Sequence, residues 1–450
     1  MAAEARPVPL RQSVPWHDPW RLAVALAERL GRPGLVLLDG DGSRFGQRLV
    51  LGVDPLEVVE CRGAPGDPGA RDPFAALASL RQRGGPWLGW LAYEAGAWVE
   101  PDHHWHRPDM ACLWAAQHDP LLHADRGRRQ LWLEGFDRRR LERMAALLEE
   151  LATALPPEPE CPPVPEAAWH WHTNPAAFAE QVRSLRRRIA AGDLFQANLT
   201  ACCETSLPAP VDPLALYGRL RRHCPAPFAG LAVAGEEAVV SASPERFLRL
   251  TPAGQVESRP IKGTRPRGAD PRADADSAAA LICDPKDRAE NVMIVDLLRN
   301  DLGRVCRPGS IHVPQLLGLE SYAQVHHLTS VVAGQLREGL GPVELLRACW
   351  PGGSITGAPK LRACRRLSAL EPVPRGPYCG ALFHLGADGG FDSNILIRSL
   401  MVKERRLRLH AGGGIVADSD PEGEALEMGW KIQPLLAALA EASPAGAGAP

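Results

Sequence analysis

Residues 238–264 read AVVSASPERFLRLTPAGQVESRPIKGT and contain two alternating runs, ERFLRLT and QVESRPI. The runs flank the triplet PAG at 252–254, which favours a tight turn, so the stretch predicts a β-hairpin. Glu245 lies eight residues before the centre of this turn and Lys262 lies nine residues after it. That offset predicts that the two side chains lie opposite or diagonal to each other, roughly 5–8 Å apart.

Lys262 has two interpretations at this point. It is either a solvated lysine paired with Glu245 on a surface hairpin, or a nucleophile held in a pocket. A nucleophilic lysine needs a pKa lowered by burial or by neighbouring cations, for which Arg259 and Arg265 are candidates. Gly263 lets the backbone approach a ligand closely or adopt an unusual turn. The hairpin alone leaves both interpretations open.

Strand-like runs and helical patterns alternate on both sides of this hairpin, which predicts an α+β protein with extensive antiparallel sheet. In the first part the strand-like runs are 35–39, 49–53, 87–93 and 130–134. A helical pattern at 141–155 runs into LPPEPECPPVP, whose prolines predict an extended linker. We therefore expect an N-terminal domain over 1–155, a linker over 156–168, a catalytic domain over 169–440 and a disordered tail over 441–450.

The composition excludes several classes of protein. A net charge of −2 over 450 residues provides no basic field for nucleic acid. The sequence has no apolar run of the roughly 18 residues that a membrane span needs, and its start lacks the apolar region of a secretory signal. The eleven cysteines include no CxxC pair and predict buried thiols in a reducing compartment. We therefore expect a cytoplasmic protein.

Two segments predict helices that carry spaced carboxylates. In CDPKDRAENVMIVDLLRNDLGRV (283–305), Asp284 suits the N-cap, and Asp287 and Glu290 share a face. Proline at 285 suits the first turn, and the predicted apolar stripe is Val292, Val295, Leu298 and Leu302. In ADSDPEGEALEMGWKI (417–432), Asp420 or Ser419 is the cap, and one side carries Glu424, Glu427 and Lys431.

If these two helices face one site, four carboxylates converge, and such hard oxygen ligands suit Mg²⁺. Two solvated helix faces are the alternative. Two glycine-rich segments, PGGSITGAPKLRAC (351–364) and HAGGGIVADS (410–419), offer bare backbone for an anion or form tight turns. The first is not a Walker A loop, because no GK[ST] follows its glycines.

Nine motifs in one order resemble the chorismate-utilising enzymes, a family that includes anthranilate, aminodeoxychorismate, isochorismate and salicylate synthases. The motifs, which span roughly residues 170–435, are GDLFQANLT, SASPERF, RPIKGT, KDRAENVMIVDLLRNDLGRV, VHHLTS, PGGSITGAPK, GPYCGAL, NILIRSL and AGGGIVADSDPEGE. LVLLDGDGSRF and GWLAYEAG resemble the family's first domain more weakly. The resemblance implies an α/β two-layer assembly in which two large antiparallel sheets form a sandwich surrounded by helices. Chorismate would bind between the sheets together with Mg²⁺.

The resemblance also implies roles for individual residues. Glu290 and Glu427 would be the principal Mg²⁺ ligands, assisted by Asp287 and Glu424, and Glu245 would be the general acid that protonates the departing 4-hydroxyl. The enolpyruvyl carboxylate of chorismate would be held by Tyr378, Arg398 and the backbone of Gly412, Gly413 and Gly414, with Lys431 close by. His327 and Ser354 would line the ring pocket, and the remaining substrate-binding residues would be Gln196, Gly263 and Thr264.

Two positions point to one branch of the family. The isochorismate and salicylate branches carry a water-activating lysine where Gln196 stands, so this chain resembles the ammonia-using members. The run PIKGT resembles aminodeoxychorismate synthases, whereas anthranilate synthases usually read PIAGT. The resemblance implies that Lys262 attacks ring C2 and that ammonia then adds at C4. The product, 4-amino-4-deoxychorismate, would serve p-aminobenzoate and folate synthesis.

The same resemblance implies partners and leaves alternatives. Ammonia would come from a separate glutamine amidotransferase subunit. Some family members hold tryptophan in the first domain, which makes LLDGDGS and CPAPF candidate tryptophan contacts. The alternatives are an anthranilate synthase component I and a non-catalytic homologue that binds chorismate or tryptophan. One departure from the family pattern is Met428, which stands where a threonine is usual.

Overall fold

The computed structural model describes residues 8–101, 105–322 and 325–441. The α-helices are α1 Pro19–Leu30, α2 Pro73–Arg83, α3 Arg138–Ala152, α4 Pro175–Ala190, α5 Pro213–His223, α6 Pro271–Cys283, α7 Pro285–Gly303, α8 Pro342–Cys349, α9 Lys360–Leu370 and α10 Pro421–Ala440. Short 3₁₀ helices cover Tyr93–Trp98, Glu166–Ala168 and Gly353–Ile355.

The strands before the proline-rich segment are β1 Leu10–Val14, β2 Val36–Leu38, β3 Arg48–Gly52, β4 Glu57–Cys61, β5 Trp87–Leu91, β6 Leu113–Gln117, β7 Leu121–Asp125 and β8 Gln130–Gly135. The strands after it are β9 His170–Trp171, β10 Gln196–Ser206, β11 Phe228–Ala234, β12 Glu237–Ser243, β13 Arg246–Leu250, β14 Gln255–Ser258, β15 Ile261–Pro266, β16 His312–Ser321, β17 Val325–Gln335, β18 Gly357–Ala358, β19 Ala381–Leu385, β20 Phe391–Asn394, β21 Ser399–Lys403 and β22 Arg406–Ile415. The strand-like runs predicted in the first part are confirmed as β2, β3, β5 and β8.

These strands form two large antiparallel sheets in the described parts of the chain. The first has twelve strands in the order β1-β8-β7-β3-β2-β11-β12-β21-β22-β10-β18, with β9 also paired to β10. The second has ten strands in the order β15-β17-β14-β13-β20-β19-β5-β6-β4, with β16 also paired to β17. Strands from before and after the proline-rich segment share both sheets, through the pairs β2–β11 and β19–β5.

The two sheets pack face to face. Trp90 and Leu382 of the second sheet lie in one buried cluster with Val36 and Val239 of the first. On the outer side of the first sheet, α1, α4, α5 and α10 bury their apolar faces, and α2, α7 and α8 do the same on the second sheet. The burial of apolar surface on both sides of each sheet is the main stabilisation of such layers. The predicted α+β fold, two antiparallel sheets in a sandwich surrounded by helices, is confirmed.

The predicted hairpin is confirmed: β13 pairs with β14, and Leu250 lies opposite Val256. Residues 155–165 form neither helix nor strand, and Val164 donates its N–H to the carbonyl of Leu439 at 2.8 Å. The division into domains stays a prediction. Residues 442–450 of the predicted disordered tail lie outside the described residues.

Both carboxylate-bearing helices begin where the sequence predicts. The Asp284 side chain accepts the N–H of Asp287 at 3.0 Å, and the Asp420 side chain accepts the N–H of Gly423 at 2.8 Å. Each acceptor satisfies one of the free N–H groups of a first turn. The predicted stripe of α7 is wrong at Val292, which is 46% exposed.

The remaining sequence predictions concern cysteines and membranes. None of the eleven cysteines forms a disulfide within the described residues, and nine of them are buried. In the three described ranges, no helix is long and apolar enough to cross a membrane.

Candidate active site

Lys262 and Glu245 meet at Ser354, which lies in the 3₁₀ helix after the glycines of PGGSITGAPK. The ammonium of Lys262 donates to the carbonyl oxygen of Ser354 at 3.2 Å, and the Ser354 hydroxyl donates to Oε1 of Glu245 at 2.9 Å. The side chain of Lys262 is only 11% exposed, and its Nζ lies 3.9 Å from Oε2 of Glu290. The interpretation of Lys262 as a solvated surface residue is therefore wrong.

Burial raises the pKa of Glu245 to about 7, although the Ser354 hydroxyl, the Lys262 charge and the N–H of Ile261 all act to lower it. Glu245 lies in the short connection between β12 and β13, where its own N–H donates to the Ser243 hydroxyl at 3.2 Å. A carboxyl with this pKa is partly protonated at neutral pH and can give up a proton in a reaction.

The carboxylates of α7 and α10 converge beside the glycines of β22. A side chain at Gly413 would come within 3.3 Å of Oε2 of Glu424 and 3.8 Å of Oε1 of Glu427. A side chain at Gly414 would come within 2.9 Å of Oε2 of Glu290. The predicted convergence of the two helices on one site is therefore present in the fold, and the alternative of two solvated faces is wrong.

Lysines stand against these carboxylates. Nζ of Lys286 lies 2.6 Å from Oε1 of Glu424 and 4.0 Å from Oε1 of Glu290. Nζ of Lys431 lies 2.8 Å from Oε1 of Glu427. Burial raises the pKa of Glu290, and the negative charges of Glu424 and Glu427 raise it further. The positive charges of Lys262 and Lys286 act in the opposite direction. The Lys431 charge, by contrast, lowers the pKa of Glu427.

Asp287 lies one turn before Glu290 on α7. Burial raises its pKa, against the charge of Arg265, whose guanidinium lies 3.1 Å from Oδ2. Arg265 also pairs with Asp284 at 2.9 Å, and Arg259 pairs with Glu320. The two arginines that the sequence offered as cations beside Lys262 are thus each held by carboxylates of their own.

Gly263 lies where β15 shifts register against β17, and its φ is +86°. A side chain there would also press within 2.9 Å of Cγ of Asp287. Both observations require glycine at this position. The close approach is to α7, which brings the Lys262 strand against the helix that carries Asp287.

Gln196 begins β10 and is buried. Its amide nitrogen lies 3.5 Å from Oε2 of Glu290, while its Oε1 is buried without a hydrogen-bond partner among the described residues. An amide at this position cannot take a proton from water as a lysine amine could.

Thr264 and His327 form a pair on the neighbouring strands β15 and β17, with 2.8 Å between Oγ1 and Nδ1. Burial lowers the pKa of His327 to about 3, helped by the charge of Arg398. The imidazole is therefore neutral. Within the described residues Arg398 has no ion pair with an acidic side chain, and burial lowers its pKa. A buried guanidinium without a carboxylate is suited to bind an anionic ligand.

Tyr378 and Lys431 contact different parts of β22. The Tyr378 ring stacks on His410 with 4.9 Å between centroids, and Lys431 donates to the carbonyl of Gly412 at 2.8 Å. The three glycines lie inside β22, where Gly412 pairs with Thr200, so the alternative of a tight turn is wrong at the glycines. A turn follows the strand, at 417–418. Met428 lies on the side of α10 that is buried in the apolar core.

The donor set fits a hard divalent cation. The described residues contain no group of three or more His, Cys, Asp or Glu side chains already arranged around a metal position. However, Oε1 of Gln196 is buried without a hydrogen-bond donor among the described residues, and Oδ2 of Asp287 is buried with the Arg265 ion pair at 3.1 Å. Carboxylate oxygens of both helices lie beside the glycines of β22. Oxygen ligands of this kind suit Mg²⁺.

Two contributors to the site were missed from the sequence. Lys286 bridges the two helices, and Ser419 donates its hydroxyl to Oε1 of Glu424 at 2.6 Å. Lys286 stands four residues before Glu290, a spacing that places both side chains on one helix face and could have indicated it. Ser419 was considered only as a helix cap, a role that Asp420 fills.

Comparison with known proteins identifies the class of protein to which this fold and site belong. The family described as chorismate binding enzyme matches residues 57–437, and the chain belongs to this family. Aminodeoxychorismate synthase of Streptomyces pristinaespiralis is 41% identical over 370 residues, covering 79% of this chain and 51% of that protein. Aminodeoxychorismate synthase component 1 of Klebsiella aerogenes is 39% identical over 356 residues, covering 78% of this chain and 76% of that protein.

The fold comparison agrees. Anthranilate synthase component I from Streptococcus pneumoniae TIGR4 superposes with a TM-score of 0.75 at 26% identity, covering 87% of this chain and 92% of that one. The chain spans about half the length of the Streptomyces relatives that it matches, including that of Streptomyces griseus.

Proposed function

We propose that this chain converts chorismate and ammonia into 4-amino-4-deoxychorismate, with Lys262 as a covalent nucleophile. The observation that carries the proposal is the position of Lys262, buried between the carbonyl of Ser354 and Glu290 and linked through Ser354 to a carboxyl of raised pKa. A nucleophile beside a proton donor is the arrangement that this reaction needs. The names of the relatives from Streptomyces pristinaespiralis and Klebsiella aerogenes support the same substrate and product.

The proposed reaction has two displacements. The amine of Lys262 forms a bond to ring C2, the ring double bonds shift, and the C4–O bond breaks. Glu245 protonates the leaving hydroxyl, and the proton that Lys262 gives up restores Glu245, so water is the net product of this step. Ammonia then bonds to C4, the double bonds shift back, and the bond from C2 to Lys262 breaks. The proton that the incoming nitrogen gives up passes to the leaving nitrogen and restores the amine of Lys262. Gln196 fits this ammonia-using reaction, because it cannot act as the base for water.

Four carboxylates would hold Mg²⁺ in this proposal: Glu290 and Glu427 as principal ligands, with Asp287 and Glu424 assisting. Bound Mg²⁺ would supply positive charge to a carboxylate of the substrate. Arg398, which pairs with no carboxylate in the part of the chain that the structure describes, would bind the other anionic group. The neutral His327, fixed by Thr264, would line the ring pocket.

A glutamine amidotransferase subunit would deliver the ammonia. The designation "component 1" of the Klebsiella aerogenes relative supports a two-component system. Tryptophan binding near LLDGDGS and CPAPF stays a prediction.

The test is Lys262→Ala, compared with Lys403→Ala on β21. Lys403 also has a carboxylate neighbour, with 3.7 Å between its Nζ and Oε1 of Glu237. We expect Lys262→Ala to lose two or more orders of magnitude in kcat with chorismate, Mg²⁺ and ammonium, because the covalent route is gone. Intact mass spectrometry without ammonia should show an adduct of chorismate less water on the wild type and on Lys403→Ala.

The adduct should be absent from Lys262→Ala. A Lys262→Ala protein with a near wild-type rate and the same product would rule out Lys262 as the nucleophile. If 2-aminobenzoate and free pyruvate are the wild-type products, the reaction is that of an anthranilate synthase and the proposal fails.

A further inference from the structure

Lys286 occupies the space between the two carboxylate-bearing helices. Its Nζ lies 2.6 Å from Oε1 of Glu424 on α10 and 4.0 Å from Oε1 of Glu290 on its own helix. No other lysine in the described residues contacts both helices in this way. Its ammonium therefore neutralises carboxylates that the proposed function assigns to Mg²⁺.

The ammonium and a divalent cation compete for the same two carboxylates, Glu424 and Glu290. Mg²⁺ binds carboxylate oxygens at about 2.0–2.1 Å and demands near-octahedral geometry. A cation at Oε1 of Glu424 would meet the Lys286 ammonium, which already lies at hydrogen-bond distance from that atom. Like charges at such separation repel strongly, even with the screening that a partly exposed site allows.

Of the lysines around the carboxylates, Lys286 is the one best able to leave. It is 39% exposed, and its hydrogen bond is to Glu424. Lys262 is 11% exposed and holds the carbonyl of Ser354, and Lys431 holds the carbonyl of Gly412 besides Glu427. A flexible four-carbon side chain at the site's edge can turn its ammonium into solvent.

We infer that Lys286 is a resident counter-ion that competes with Mg²⁺ for Glu424 and Glu290 and thereby sets the cation affinity of the site. The inference rests on the proposed Mg²⁺ site. In the metal-free protein Lys286 holds α7 and α10 together across the carboxylates. When Mg²⁺ binds, the ammonium gives up Glu424, and part of the binding free energy is spent on that exchange.

The test is a titration of Mg²⁺ into the chelator-treated 450-residue protein, in which binding is followed by the melting temperature. A ligand that binds only the folded state raises this temperature, and the stabilisation grows with the logarithm of the ligand concentration divided by its Kd. The variants are Lys286→Met, Lys286→Gln and the control Arg183→Met. Arg183 is similarly exposed, at 40%, and pairs with Glu422 in the first turn of α10, which is not a proposed ligand.

We expect the two Lys286 variants to melt lower than wild type without metal, because Glu424 and Glu290 lose their counter-ion. Their apparent Kd for Mg²⁺ should fall at least fivefold, whereas that of Arg183→Met should stay within twofold of wild type. An unchanged or weaker affinity in both Lys286 variants would overturn the inference, as would equal tightening in Arg183→Met.

Glu290→Gln separates this inference from the proposed function. If wild type responds to Mg²⁺ and Glu290→Gln does not, the carboxylate site stands, and the Lys286 variants alone decide the inference. If wild type shows no Mg²⁺ response, or Glu290→Gln responds like wild type, the assignment of Mg²⁺ to these carboxylates fails and the inference fails with it.

Discussion

Glu245 is a buried carboxyl whose pKa, raised by burial to about 7, ties activity to pH. Its protonated form is present below that pKa and is lost as the pH rises through it. Because the proposed reaction needs the acid form, kcat/KM should fall above about pH 7. The Ser354 hydroxyl acts to lower this pKa, so Ser354→Ala should move the descending limb to higher pH. A pH–rate profile of both proteins checks this, and identical limbs would count against Glu245 as the acid.

At the residue scale, the sequence indicated most of the candidate site residues but few of the contacts between them. Glu245 and Lys262 both contact Ser354, although Lys262 lies on β15, which pairs with β17 and not with β13. Their predicted separation across the hairpin stays a prediction. Their shared partner Ser354 lies far along the chain in a 3₁₀ helix, and no local pattern connects it to the hairpin. Lys286 was missed because a lysine between acidic residues on a helix looks like an ordinary surface ion pair. Only the approach of α10 turns it into part of a site.

The glycines of strand β22 have different roles: one is needed for strand pairing, and another lies against side chains of the candidate site. At Gly412 a side chain would overlap the backbone carbonyl of Leu199 on β10, which cannot move without breaking the strand pair. At Gly414 it would overlap the amide of Gln196 and approach Glu290, which are side chains that can shift. We therefore expect Gly412→Ala to lower the melting temperature sharply. Gly414→Ala should fold yet lose most of its activity.

Thermal unfolding and activity measured on the two glycine variants check this division. A stable and active Gly412→Ala protein would contradict the strand pairing. A fully active Gly414→Ala protein would place the site away from Gln196 and Glu290.

Helix ends were the most predictable elements, because a cap and a first-turn proline are local signals. The buried face of α7 was less predictable. Val292 fits an apolar stripe with Val295, but α7 also presents a surface toward β16, where Val292 lines an open groove with Leu316. The sequence pattern identifies the apolar residues of the helix, but the elements packed against the helix determine which of these residues are buried.

Glu94 joins the two halves of the molecule and makes its stability depend on pH. It is buried on the 3₁₀ helix Tyr93–Trp98, and its Oε1 accepts the N–H of Arg375 at 2.8 Å. Burial raises its pKa to about 8, whereas the unfolded chain should show the ordinary value of about 4.5. Between these values the folded state holds the extra proton, so the free energy of unfolding falls as the pH rises.

Glu94→Gln mimics the protonated carboxyl and should remove this dependence. We expect the variant to be more stable than wild type at pH 8.5 and similar to it at pH 5. Urea unfolding at both pH values measures the difference. Equal stability of the two proteins at pH 8.5 would show that Glu94 ionises without cost in the folded state.

The whole-molecule architecture followed from the resemblance and not from periodicity. Alternating runs predicted β2, β3, β5 and β8 as strands, but such a run does not predict the strand with which it pairs. The pairing of β5 with β19 joins residues from opposite ends of the chain. Such long-range pairing is set by sheet packing, which a local pattern does not contain.

That pairing has a consequence for synthesis on the ribosome. When Leu91 leaves the exit tunnel, its partner Ala381 has not yet been translated, and one edge of β5 stays open until the ribosome has made β19. Chains dominated by such distant contacts fold slowly, and open edges invite aggregation meanwhile. The nascent chain should therefore depend on chaperones, and production at low temperature or a slower rate of translation should give a larger yield of folded enzyme.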